Sequence, residues 1–292
     1  MATDEKSGAV PHGEPRAISR LEAVENDSGP GGVDAHSELP FEAAIFDMDG
    51  VVTKTAGVHS VAWKRMFDGF LQIRAASLNE PFKEFTHAHD YLAYVDGRPR
   101  YQGVEAFLKS RGINLPPGSP DDLPGSETIC GLGNRKNTLF NQVLESEGVQ
   151  LFASTIALIQ EMLRRGVRIG LATSSRNSAV ILQKTGTAHL FATVVDGLVS
   201  ARLGLKGKPA PDIFTTATAN LGVPSARAIV VEDAVTGVQA GAKGGFALVI
   251  GVARENNAQE LRDHGADLVV TDLSETSVDE IDRLIQAKRA GS

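Results

Sequence analysis

Five short runs rich in β-branched and aliphatic residues recur from residue 41 onward, and between them lie stretches with helical periodicity. The runs are AAIFD (43–47), VRIGLATS (167–174), ARAIVVED (226–233), FALVIGV (246–252) and ADLVVTD (266–272). Each is apolar on both of its faces, so a sheet built from them needs cover above and below. Amphipathic candidates such as STIALIQEMLRRG and APDIFTTATANLG stand between the later runs. Strands alternating with helices predict an α/β fold with a parallel, doubly wound sheet.

The segment from 57 to 150 breaks this rhythm. It carries helical stretches (VHSVAWKRMFDGFL, VEAFLKSRG, NRKNTLFNQVLESEG) and a Pro/Gly-rich loop, LPPGSPDDLPGSE, but no comparable strand. The expected organisation is a core of residues 41–56 and 151–292 with a helical cap, 57–150, inserted after the first strand. Residues 1–40 hold eight acidic and three basic residues and are punctuated by Gly and Pro, as in SGPGGVD. They read as a disordered acidic tail, with a short helix at AISRLEAVE. The tail lacks the basic start and apolar stretch of a secretory signal, so NDS at Asn26 is read as plain sequence rather than a glycosylation acceptor.

With 29 basic and 36 acidic side chains the net charge is −7, against the basic footprint that general nucleic-acid binding requires. No apolar run approaches the ~20 residues that span a bilayer. The one cysteine, Cys130, allows no intrachain disulfide and fits a cytoplasmic setting. The chain is read as a monomer with no nucleic-acid and no membrane partner.

Polar residues cluster at the ends of the predicted strands. The first run ends on Asp47 and leads to Asp49. The second opens into Thr173, Ser174, Arg176 and Asn177. The third ends on Glu232 and Asp233. Lys208 lies between, in GLKGKPAPDIF. In open α/β sheets ligands bind beyond the carboxyl ends of the strands, so these side chains are expected to meet in one crevice. Several carboxylates, one lysine and a set of hydroxyls suit Mg²⁺ held by few carboxylates plus phosphate oxygens. Thr173 and Ser174, expected at a helix start, would donate to phosphate. Asp47 would be a nucleophile able to form an aspartyl-phosphate, and Asp49 a general acid and base. Asp47, Asp49, Glu232 and Asp233 are the candidate metal ligands. HAHD (87–90) reads as a solvated helix start, and Trp63, spaced with Val58 and Phe67, as packing.

FDMDGVVT, the Thr173–Ser174 region, Lys208 and VVEDAVTGVQAG together resemble the four motifs of the haloacid dehalogenase superfamily, over residues 41 to 275. That resemblance implies a Rossmann-like core, a helical cap, Mg²⁺ and phosphorylation of Asp47. DMDGVVTKTAGVHSVAW is similar to the β-phosphoglucomutase-like subfamily. By that likeness Thr55 lies in the hinge to the cap and His59 positions Asp49. Arg100 in VDGRPR grips the distal phosphate, Lys136 in RKN touches substrate, and Arg176 and Asn177 belong to a phosphate-contacting loop. Asp96 departs from the pattern, standing where the bacterial mutases tend to have lysine.

The activity implied is interconversion of β-D-glucose 1-phosphate and glucose 6-phosphate through β-glucose 1,6-bisphosphate, the activating intermediate. A sugar-phosphate phosphatase with the same residues, for example for trehalose 6-phosphate, is the alternative. A non-enzymatic scaffold is a further one, against which the intact polar set argues.

Overall fold

A computed structural model describes residues 39–291. The chain runs β1 (Ala43–Phe46), α1 (Ala56–Leu78), a π-helical turn (His87–Tyr91) continuing into α2 (Leu92–Tyr94), α3 (Arg100–Ser110), α4 (Ile129–Glu147) and α5 (Ala153–Arg164). It continues β2 (Arg168–Ala172), α6 (Ser178–Thr185), β3 (Thr193–Val195), α7 (Gly197–Leu203), α8 (Asp212–Asn220) and β4 (Ala228–Glu232). It closes with α9 (Val235–Lys243), β5 (Leu248–Val252), α10 (Ala258–Asp263), β6 (Leu268–Val270) and α11 (Val278–Ala290).

The six strands form one parallel sheet in the order β3-β2-β1-β4-β5-β6. The expected α/β architecture is therefore the one present. Strand order reverses between β1 and β4, the crevice where such sheets bind ligands. β3 has no counterpart among the five apolar runs. It is three residues long and pairs only with β2, at the sheet edge, so ATVVDG lacks the length that marks the other strands.

Successive strand residues point to opposite faces, and each face has its own core. Ala44, Phe46, Ile169, Leu171, Ile229 and Val231 pack with α5, α6 and α11 through Ile159, Met162, Ile181 and Ile281. Ala43, Ile45, Ala172, Ala228 and Val230 pack with α8, α9 and α10 through Phe214, Ala217, Val238 and Leu261. This double burial is why the runs are apolar throughout.

The helices between β1 and α5 enclose a third cluster, built on Trp63, Met66, Phe67, Phe85, Phe107 and Leu132. The Phe67 ring lies 4.9 Å from Phe85 and 4.2 Å from Phe107. HAHD does open a helical turn, with Ala88 and His89 exposed, but its last residue turns inward. Asp90 is buried and accepts from the Thr86 backbone N–H and hydroxyl and from Arg111, at 2.8, 3.0 and 3.0 Å. A short carboxylate four residues after Thr86 folds back onto the turn, which sequence periodicity does not register.

The expected tail lies outside the described residues except for Leu39 and Pro40, as does Asn26. Pro40 is buried and its carbonyl accepts from Arg289 at 2.8 Å. None of the described helices is long and apolar enough to cross a membrane.

Candidate active site

β1 ends at Phe46, and the next backbone N–H, that of Asp47, still donates to Val231 in β4 at 2.9 Å. Asp47 is thus fixed at the strand-order reversal. Its Oδ1 accepts from Lys208 Nζ at 2.6 Å, and the same ammonium donates to Glu232 Oε1 at 2.5 Å. Glu232 Oε2 accepts from the backbone N–H groups of Asp233 and Ala234 at 2.6 and 2.7 Å. Both oxygens of Glu232 thus accept hydrogen bonds from within the protein. Glu232 anchors the lysine and shapes the turn after β4.

Burial alone would push the Lys208 ammonium down, but the Asp47 and Glu232 carboxylates outweigh it and raise it. Burial pushes Asp47 up, to about 8, and the negative neighbours Glu232 and Asp49 add to this against the pull of Lys208. Asp233 is driven well above the carboxylate range by burial and by Glu232, Asp96 and Asp47. Its carboxylate lies against Gly50, where φ is +87° and a Cβ would fall 1.8 Å from Asp233 Oδ2. Only glycine lets the two loops approach this closely.

Asp49 looks the other way. It accepts from the Thr55 hydroxyl and lies 3.3 Å from His59 Nε2 and 3.4 Å from Thr173 Oγ1. Burial would raise its carboxyl, but His59 and Thr55 hold it below its ordinary value. Lys136 Nζ is 2.6 Å from His59 Nδ1 and sits over the Trp63 and Phe140 rings, 5.1 and 4.8 Å from their centroids. His59 thus turns Nδ1 to Lys136 and Nε2 toward Asp49. Burial and Arg100 hold the Lys136 amine well below the ammonium range, and burial and Lys136 lower His59. Lys136 lines the pocket, yet its nitrogen is bound to His59 rather than standing free. Trp63 packs on Phe67 as expected and also walls the pocket.

The loop after β2 makes the third side. Thr173 and Ser174 do not open a helix: α6 starts at Ser178, and the residues between form a turn in which Thr173 Oγ1 accepts from the Ser175 N–H at 3.1 Å. The Ser174 hydroxyl donates to the Gly97 carbonyl at 2.8 Å. Arg100, at the start of α3, donates to Asn137 Oδ1 at 2.7 Å, and Asn177 Nδ2 donates to the same oxygen at 2.9 Å. Arg176 donates to the Tyr101 hydroxyl at 3.2 Å. Burial and the neighbouring Arg176 bring the Arg100 guanidinium down to about 10. Carboxylates therefore gather at the β1–β4 end of the pocket and two arginines at the other.

Residues 41–245 match the haloacid dehalogenase-like hydrolase family. The chain belongs to that family. It is 44% identical over 236 residues to a β-phosphoglucomutase of Mycobacterium tuberculosis, covering 80% of this chain and 90% of that one. A β-phosphoglucomutase of Bacillus subtilis is 31% identical, with 82% and 92% covered. Among solved structures, a β-phosphoglucomutase from Clostridium difficile superposes with a TM-score of 0.65 at 21% identity, over 86% of this chain and 99% of that one, a likeness of fold.

The donor set of this haloacid dehalogenase-like hydrolase fits a divalent cation. Asp47 is buried and Asp233 half-buried; burial raises both carboxyls, Asp47 adds to the rise at Asp233, and Lys208 is the ammonium joining Asp47 to Glu232. Hard oxygen donors with negative charge in excess are what Mg²⁺ takes. Among the described residues no group of three or more His, Cys, Asp or Glu side chains is arranged as a metal site.

Arg98 and Asp96 also line the pocket, and burial and Glu232 raise Asp96 to about 7; sequence reasoning gives Arg98 no role and marks Asp96 only as a departure from the family pattern. Asn137 and Tyr101 lie outside the pocket wall and work by bonding Arg100, Asn177 and Arg176, a pairing with no spacing signature. Asn137 closes RKN and Tyr101 follows VDGRPR, so those segments were the available signal.

Proposed function

We propose that the chain is a β-phosphoglucomutase interconverting β-D-glucose 1-phosphate and glucose 6-phosphate through β-glucose 1,6-bisphosphate. The reading rests on one arrangement: Asp49, in the core, is oriented by Thr55 and by His59 of α1, so the acid–base group is completed only with the helical segment closed over it. The 44% identity to a protein of that name supports it. Residues 41–56 and 151–292 then form the catalytic core and 57–150 the cap. One chain supplies every residue of the site, in keeping with a monomer, and the single cysteine suits a cytoplasmic enzyme.

Asp47 takes the phosphoryl group. Its carboxylate attacks phosphorus of the bisphosphate, the bond to the sugar oxygen breaks, and Asp49 gives that oxygen its proton. Glucose 6-phosphate leaves, the 6-hydroxyl of a β-glucose 1-phosphate attacks the phospho-Asp47 and passes its proton to Asp49, and the bisphosphate re-formed on free Asp47 turns end for end to give up its 1-phosphate. Lys208 offsets charge on the transferring group. Thr173, beside Asp49, and Ser174 donate to the transferring phosphoryl group, and Arg100, with Arg176 and Asn177, holds the phosphate that does not react. Mg²⁺, held by Asp47, Asp233 and the Asp49 main-chain carbonyl, would supply further charge neutralisation.

The test is incubation with β-glucose 1-phosphate and a catalytic amount of the bisphosphate. Glucose 6-phosphate is expected as the product. Release of inorganic phosphate without isomerisation overturns the reading in favour of a sugar-phosphate phosphatase.

A further inference from the structure

The cap loop Val95–Arg98 is held at two consecutive carbonyls by two different core loops. The Thr236 hydroxyl, in the first turn of α9, donates to the Asp96 carbonyl at 3.2 Å, and the Ser174 hydroxyl donates to the Gly97 carbonyl at 2.8 Å. Gly97 is at φ +69°, and a Cβ there would lie 2.3 Å from Thr236 Oγ1 and 3.2 Å from the Ala234 Cβ. The fit therefore requires both the missing side chain and the left-handed backbone. Thr236 follows Asp233 by three residues and Ser174 follows Thr173 by one. Each hydroxyl rides on a loop that carries candidate chemistry, and both report to the same cap dipeptide.

We infer that Thr236 is a positioning residue for this reaction: its hydroxyl latches the cap loop at Asp96–Gly97 over the core, so that the pocket closes with the acidic loop and the β2 loop both engaged. Thr236 reaches no reacting atom. Its role is to keep water from phospho-Asp47, where attack of a water oxygen on phosphorus would break the bond to Asp47, pass a proton to Asp49 and release inorganic phosphate.

The activity readout rests on the mutase reading, so the experiment carries a second readout that does not. Thr236→Val, which removes the hydroxyl at nearly constant shape, is compared with wild type and Thr236→Ser. Hydrogen exchange is measured over residues 95–98, together with phosphate released per glucose 6-phosphate formed. Thr236→Val is expected to raise both by about fivefold, the factor corresponding to loss of one neutral hydrogen bond, and Thr236→Ser to leave both at the wild-type level. Thr236→Ala, which adds no methyl against the core, is expected to behave as Thr236→Val. Unchanged exchange over 95–98 in both hydroxyl-free variants overturns the latch. Raised exchange in a chain that does not isomerise supports the latch and rejects the mutase reading.

Discussion

Lys208 stands between two carboxylates, and its side chain is 1% exposed. Lys208→Ala would leave Asp47 and Glu232 facing one another without a counter-charge. Removing one partner from a buried charge cluster costs about 3–5 kcal/mol. A loss of that size is expected in urea unfolding at neutral pH, together with loss of turnover; unfolding at the wild-type midpoint would contradict the buried pairing. His59→Ala acts on the other carboxylate. His59 helps hold Asp49 below its ordinary value against burial, so without it the Asp49 carboxyl rises and the acid limb of kcat/KM moves to higher pH. A positioned general acid–base group contributes about 10²–10⁴-fold, so loss of the His59 contact that helps position Asp49 is expected to lower kcat/KM by about 10-fold or more. A pH–rate profile with an unmoved acid limb would count against the contact. Asp47, Asp49 and Asp233 were legible because each follows a strand end, and Lys208 because it stands just before the prolines that open α8. Glu232 was legible in place, while its bonds to Lys208 and to two N–H groups are visible only in the structure.

Secondary elements were read to the extent that they bury a face. β1, β2, β4, β5 and β6 announce themselves because two helical layers cover them, whereas β3 offers three residues at an edge. The loop 173–177 precedes rather than opens α6, and hydroxyl residues at a helix start and hydroxyl residues in a pocket-lining turn look alike in sequence. The π-helical turn at 87–91 depends on one side chain. Asp90→Asn would weaken the contacts to Arg111, which ends α3, and to Thr86. Burial would raise the Asp90 carboxyl, but the Thr86 N–H and Arg111 outweigh it and hold it low. A depressed carboxyl stabilises the fold above its unfolded value of about 3.9, and that contribution disappears as pH falls through the folded value. Asp90→Asn is therefore expected to cost about 1–3 kcal/mol at pH 7, and the gap to wild type to narrow as pH falls below about 3.9. Urea midpoints at pH 7 and through the acid range measure both; a gap that does not narrow in acid would remove the ion pair from the account.

At the scale of the molecule, the sheet collects carboxylates from the ends of β1 and β4 and so stores a charge problem at its own centre. Burial raises Asp47 to about 8 and Asp233 well above the carboxylate range. A carboxyl raised on folding contributes stability below its unfolded value, about 3.9, and loses it as pH climbs through the folded value. The metal-free protein is therefore expected to lose thermal stability steadily between about pH 4 and pH 8 on account of these two groups. Protons and a divalent cation compete for the same oxygens, so added Mg²⁺ should restore little at the acid end of that window and progressively more toward its upper end. Saturation at a hundred times the dissociation constant corresponds to about 2.7 kcal/mol. Asp233→Asn removes one of the two charges. It is expected to raise the melting temperature of the metal-free protein near pH 8 and to abolish most of the Mg²⁺-dependent gain. Melting curves with EDTA and with Mg²⁺ across the pH series test the argument without any substrate. A Mg²⁺ gain that stays constant with pH, or that survives Asp233→Asn, would place the cation somewhere other than between these two loops.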